Sequence, residues 1–283
     1  MARDGIRPSR VGFVVLTTIG TIFSISYGKA KPYDFSRMSL VAITRLAQRG
    51  NAGAEFELGR REIQGIGVPP NEYRQAANWF RKAAEQGYVK AEFNLSVAYD
   101  MGLGVPRSSK QSVMWVRKAA AQGYGNAEAA LGLFYDYGRG VRQDHKRAIM
   151  WYRKAAAQGN ARAAYNLGYE YDHGTGVPRD YKQAALWYRE SAERGDALAE
   201  YKLGTDYYHG HGVPRNYFLA YMLFELARAR GYKQGYVVDV QLRTTIERLK
   251  NNLSRAQIIE AQSMAENWKV GTPLPTHIAG RVR

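Results

Sequence analysis

Small and apolar residues recur three and four positions apart along most of the chain, the spacing that places them on one face of a helix. The segment 163–195 shows the pattern clearly. Ala163, Leu167 and Tyr171 share a face of a first helix, A, expected from about Ala163 to His173. Gly174 predicts its stop, because the left-handed conformation after a helix carries no steric cost only for glycine. Val177 and Pro178 predict a turn, since proline cannot continue a helix. Asp180 is the expected N-cap of a second helix, B, which should bury Ala184, Trp187 and Ala192 and end at Gly195.

The block then repeats. Gly87, Gly123, Gly159, Gly195 and Gly231 lie 36 residues apart, and Trp79, Trp115, Trp151 and Trp187 follow the same step. Gly-x-Gly pairs recur at Gly65/Gly67, Gly102/Gly104, Gly138/Gly140, Gly174/Gly176 and Gly210/Gly212. The counterparts of Asp180 are Asn71, Ser108, Asp144 and Asn216, all residues whose side chains accept a bond from a free helix N–H. Self-similarity at this period predicts an all-α array of about five 36-residue helix-turn-helix repeats over residues 52–231. Gly59, Gly132, Gly168 and Gly204 sit mid-helix, where glycine costs about 1 kcal/mol against alanine, and so predict close helix–helix approach. Capping helices are expected at 31–51, with a lone B-type helix over Ser36–Gln48, and at 232–270, with helices over Gly235–Asn251 and Ser254–Trp268. Residues 271–283 read as an extended tail.

The 283 residues are 45% apolar, enough for burial to offset chain entropy. Forty-one Lys and Arg against 25 Asp and Glu give a net charge of +16, which favours anionic partners without choosing among them. The absence of cysteine excludes disulfides, thiolate zinc sites and a cysteine nucleophile.

The N-terminus departs from the repeat. Arg3, Arg7 and Arg10 precede an uncharged stretch, Val11–Tyr27, which is followed by Gly28, Lys29 and Ala30. This is the pattern of a secretory signal; an uncleaved anchor is the rival reading, although the stretch is short and diluted by Thr and Ser. Residues 1–30 are therefore expected to be a signal peptide or membrane anchor.

The run AAYNLGYEYDHGTGVPRDYKQAALWYRESAERG over Ala163–Gly195, with its copies, resembles the Sel-one-like repeat family, relatives of the tetratricopeptide repeats. Four copies depart from the family pattern: Glu62 stands for tyrosine, Ser96 for glycine, Arg142 for proline and Leu223 for tryptophan. The resemblance implies a right-handed α/α superhelix acting as a non-catalytic adaptor or scaffold. Bacterial members are often exported, so the resemblance and the N-terminus together lead to an expected location in the periplasm, outside the cell, or on the inner membrane facing the periplasm. Membrane contact is expected only through the N-terminal segment. Cysteine-rich members have been described as penicillin-binding or β-lactamase-like; this chain lacks cysteine, so that activity is not carried over.

A partner-binding groove is expected on the helix-A face opposite the core: Asn94, Val97 and Met101; Ala130, Leu133 and Tyr137; Asn166, Tyr169 and His173; Lys202, Thr205 and His209. Asn can bond an extended peptide backbone and Tyr offers rigid area with a polar tip, so a protein or peptide is the expected partner. A basic ladder of Arg81, Arg117, Arg153 and Arg189, accompanied by Lys82, Lys118 and Lys154, offers either contact with an anionic envelope surface or simple helix-end and stem packing. No catalytic residue, cofactor or metal is expected. His173, His209 and His211 lack a supporting carboxylate or cysteine cluster, and Asp100, Asp136 and Asp172 recur in phase as parts of the repeat. The Gly-x-Gly pairs follow helices, not strands, and are not dinucleotide loops. Nucleic acid is not an expected partner, because the tyrosines are assigned to packing and export conflicts with it. A peptidoglycan-associated binding protein and a structural subunit of a membrane complex, anchored by residues 11–27, are the alternative readings.

Overall fold

The computed structural model describes residues 34–65, 73–231 and 236–276. The expected signal or anchor at 1–30, the cap Asn71 and the glycines Gly67 and Gly235 lie outside the described residues. The chain divides into two units, Met1–Met38 and Ser39–Arg283. Of the first, a single 3₁₀ turn at Phe35–Arg37 is described.

The second unit is entirely helical among the described residues. Its helices are α1 (Leu40–Gln48), α2 (Ala52–Gln64), α3 (Tyr73–Glu85), α4 (Val89–Met101), α5 (Ser109–Ala121), α6 (Gly125–Tyr137), α7 (His145–Ala157), α8 (Ala161–His173), α9 (Tyr181–Glu193), α10 (Ala197–His209), α11 (Tyr217–Ala229), α12 (Tyr236–Lys250) and α13 (Arg255–Asn267). From α2 to α11 they form five A/B pairs, each packed within itself and against the next pair, which is an α-solenoid. The first capping helix begins at Leu40, four residues later than expected, because Ser39 accepts a bond from the Ala42 N–H and sets the start. Helix A of the fourth copy begins at Ala161, two residues early, because Asn160 is its N-cap.

The other expected caps are in place: Ser108, Asp144, Asp180 and Asn216 each accept from a backbone N–H in the first turn of helix B. Gly174 ends α8 at φ 72°, its N–H bonded to the Glu170 carbonyl. The second glycine of each described pair, Gly104, Gly140, Gly176 and Gly212, serves the stack. At Gly212 an added Cβ would lie 2.0 Å from the Tyr181 carbonyl oxygen, so this loop packs directly on the start of the previous repeat's helix B.

Within each pair the mid-helix glycine receives a ring. A Cβ at Gly132 or Gly168 would lie 2.5 Å from the ring of Tyr152 or Tyr188, and at Gly59 or Gly204 within 2.8 Å of Phe80 or Phe224. The residue after the repeated tryptophan is thus the fully buried one: Tyr152 and Tyr188 are 0% exposed. Trp187, expected in the core, is half-buried, because one helical position rotates it by about 100° toward the helix flank. The exception explains itself. Where Ser96 replaces the glycine, Val116 replaces the ring, and the Ser96 hydroxyl bonds that of Ser112 at 3.0 Å.

The C-terminal end is closed by packing on α11, whose residues Phe218–Ala227 are all buried. Leu242, Ile246 and Leu249 of α12, with Ala261 and Ala265 of α13, join this core. Ser254 and Gln257 form a capping box at the start of α13. The expected tail is docked as far as it is described. Leu274 is buried, its N–H bonds Glu193 Oε1 at 2.9 Å, and the Gly271 N–H bonds the Glu193 carbonyl at 2.7 Å. Residues 277–283 lie outside the described residues.

Candidate functional site

The basic ladder holds repeats together. Each of its arginines lies on helix B and donates to the tyrosine hydroxyl 18 residues on, in helix A of the next repeat: Arg81 to Tyr99 at 3.3 Å, Arg117 to Tyr135 at 3.0 Å, Arg153 to Tyr171 at 2.7 Å, and Arg189 to Tyr207. Arg189 also donates to the Leu274 carbonyl at 3.0 Å, so the C-terminal segment covers that end of the ladder. The lysines that follow lie over tryptophan rings of their own helix, Lys82 on Trp79, Lys118 on Trp115 and Lys154 on Trp151, 4.2–4.3 Å from the centroids. Of the two roles open to the ladder, packing has this direct support. The first repeat uses another partner: Glu62, in the tyrosine position, accepts from Trp79 Nε1 at 3.1 Å.

The helix-A face is less committed. Met101 and Tyr137 are 64% and 66% exposed, and Tyr169 stacks on His173 with centroids 3.9 Å apart. His209 stacks on His211, and the His211 ring also stacks on Tyr181. Lys202 lies 4.0 Å from Asp172. Asn166 is half-buried, with its Nδ2 buried and unbonded. Other expected groove residues turn inward. Leu133 and Ala130 pack against the core of the middle repeats, Asn94 and Val97 line a small cavity of about 110 Å³ with Phe80 and Leu103, and the Thr205 hydroxyl donates to the Tyr201 carbonyl at 2.9 Å. Of the expected groove residues, Met101, Tyr137, Tyr169, His173 and His209 remain exposed on this face, with Asn166 and Lys202 half-buried beside them.

The floor between successive A helices varies from joint to joint. One equivalent position holds Ala98, Phe134, Glu170 and Asp206 in turn, all buried. Ala98 borders the small cavity, Phe134 joins the core of the middle repeats, and the last two place carboxyl groups at this position. Burial, reinforced by Asp172, pushes the Asp206 carboxyl up to about 8 despite Lys202. Burial and the neighbouring Asp136 push Glu170 in the same direction. Glu170 Oε2 and Asp206 Oδ2 are buried without a hydrogen-bond partner. Asp136 accepts from the Tyr152 hydroxyl at 3.3 Å and lies 2.7 Å from His145 Nδ1, which is 4.0 Å from Glu170 Oε2. The other repeated aspartates also have partners: Asp100 pairs with Arg139, and Asp172 accepts from Tyr188 at 3.4 Å.

The Sel1 repeat model matches five consecutive segments, 52–88, 89–124, 125–160, 161–196 and 197–232. The chain belongs to the Sel1 repeat family. It is similar to c5321, a protective antigen present in uropathogenic Escherichia coli strains and displaying an SLR fold, at 32% identity over 84% of this chain and 53% of that one, TM-score 0.69. It is also similar to a Sel1 repeat protein from Oxalobacter formigenes, at 33% identity over 71% of this chain and 57% of that one, TM-score 0.63. The matched region thus covers little more than half the length of either relative. No curated protein matches the chain. Sel1 repeat proteins generally are non-catalytic and mediate protein–protein interaction.

Against the Sel1 pattern, sequence reasoning placed the exposed aromatic positions and missed His145, Glu170 and Asp206. A signal was available: His145 occupies a position that is Tyr73, Ser109, Tyr181 or Tyr217 in the other repeats, and Glu170 one that is otherwise Arg61, Ala98, Phe134 or Asp206. Such unmatched departures stand out only once the periodic packing is subtracted. No helix among the described residues is long and apolar enough to cross a membrane.

Proposed function

We propose that this Sel1 repeat protein is a scaffold in the bacterial cell envelope, and that it binds a protein segment along the helix-A face of its third to fifth repeats. The observation that carries the reading is the row of exposed rings formed by Tyr137 and His173, at matching repeat positions, with Tyr169 stacked on His173. Aromatic anchors of low conformational freedom suit a polypeptide ligand. The helix-B ladder contrasts with it, because its cations already have internal partners. Export rests on the Arg-led apolar segment Val11–Tyr27 and the small residues after it.

A photo-crosslinking phenylalanine derivative at Tyr137 or Tyr169 should capture a discrete partner in living cells, whereas the same group at exposed Leu186 on helix B should not. Equal crosslinking from both positions overturns the groove. N-terminal sequencing and cell fractionation test the location. A mature terminus at Lys31, or an intact chain in the inner membrane, supports it, and an intact chain in the cytosol refutes it.

A further inference from the structure

We propose that Asp136, His145 and Glu170 form a binding site for one divalent transition-metal ion, with Zn²⁺ the best match, at the joint between the third and fourth Sel1 repeats. The three residues come from three helices, α6, α7 and α8. One ligand atom of each lies within 4.8 Å of the others. An ion with bonds of about 2.0–2.2 Å holds tetrahedral ligand atoms roughly 3.3 Å apart, so small side-chain rotations close the site.

Two observations separate this cluster from an ordinary acidic patch. Glu170 is 2% exposed, and its Oε2, on the His145 side, has no hydrogen-bond partner. Tyr152, fully buried, donates to Asp136 Oδ2 and leaves Oδ1 toward His145, the arrangement in which an outer hydroxyl orients a ligating carboxylate. The next joint supplies a comparison inside the molecule. Asp172 and Asp206 stand there in the places of Asp136 and Glu170, but Tyr181 replaces the histidine. One imidazole nitrogen with two carboxylates favours zinc and its first-row neighbours over magnesium or calcium, which take oxygen sets. The ion has a route in, because His145 also lines an open depression of about 730 Å³. Once bound, it would staple two repeats through a contact that neither makes alone.

The test uses the full chain after chelator treatment, titrated calorimetrically and melted with Zn²⁺, and with Mg²⁺ as the contrast. One Zn²⁺ per chain should bind and raise the melting temperature, with little response to Mg²⁺. His145→Tyr introduces the side chain that the fourth and fifth repeats already carry at this place, and Glu170→Gln keeps the shape of the original. Both should retain the helical circular dichroism and weaken Zn²⁺ binding by roughly 100-fold or more, while Tyr152→Phe should weaken it by about 10-fold. Joint replacement of His209 and His211 by Ala should leave it unchanged. Absence of binding to the wild type, undiminished binding to folded His145→Tyr or Glu170→Gln, or loss only in the His209/His211 variant each overturns the proposal.

Discussion

The second and fourth repeats share a backbone plan and differ in what joins their parts. In the fourth, Gly168 leaves room for the ring of Tyr188; in the second, Ser96 faces Val116 and bonds Ser112. In the second, Gln122 donates to Glu92 at 2.7 Å; in the fourth, Ala164 and Arg194 stand at those places, and Arg194 pairs with Glu190 at 2.5 Å. These exchanges come in complementary sets, as packing demands, since a larger group on one helix requires a smaller one on its neighbour. The difference between Ala98 and Glu170 is of another kind. It buries a carboxyl oxygen that no hydrogen bond satisfies. The comparison teaches that paired changes preserve the array, while an unpaired change at a buried position marks a place where something besides packing was retained.

The largest expected effect breaks the pairing. Gly168→Ser should destabilise the protein by about 3 kcal/mol, because its Cβ would sit 2.5 Å from Tyr188. Combined with Tyr188→Val, which recreates the Ser96–Val116 pair but not the bond to Ser112, since Ala184 stands in that place, much of that loss should return, with a coupling of about 2 kcal/mol in a denaturation cycle. Simple additivity would mean that the two joints are not equivalent.

Next comes the buried carboxyl of the fifth repeat. Asp206 has a folded pKa of about 8, above its unfolded value of about 4. The folded state therefore holds more protons between these limits, and stability falls as pH rises through that window. Asp206→Asn should be the more stable protein at pH 8.5, by on the order of 2 kcal/mol, with the gap closing toward pH ~4. Melting curves across pH check this, and a gap constant with pH would contradict the assigned cause. Asp172, Lys202 and the Tyr188 hydroxyl act on Asp206, and Asp172→Asn should narrow the gap.

Arg117→Ala and Arg153→Ala should each cost about 1 kcal/mol by removing the bond to the next repeat's tyrosine. Partner capture through Tyr137 should persist in both, and its loss would return the ladder to the binding surface. Lys118→Ala, which removes the cation over Trp115, should cost about 0.5 kcal/mol in the same denaturation assay.

Much of this array was legible because its signals are local. Asp180 caps the helix that begins beside it, and Gly174 ends the helix just before it. The outer face of helix A was half legible. Periodicity marked Tyr137 and Tyr169 as outward, but it could not tell that Thr205 would spend its hydroxyl on its own helix, or that Leu133 would lean on the core. The tryptophan signal misled at Trp187, because burial shifted one position along to Tyr188.

The residues by themselves determined the repeat step, the helix pairs and their caps, since each depends on groups within a few turns of one another. Only the tertiary structure decided which residues of one repeat meet those of the next. Arg153 finds Tyr171 18 residues away, and His145 comes beside Glu170 across the joint. Those meetings depend on the angle and offset at which one helix pair settles on another. Side-chain volumes set that geometry collectively, and no local pattern spells it out.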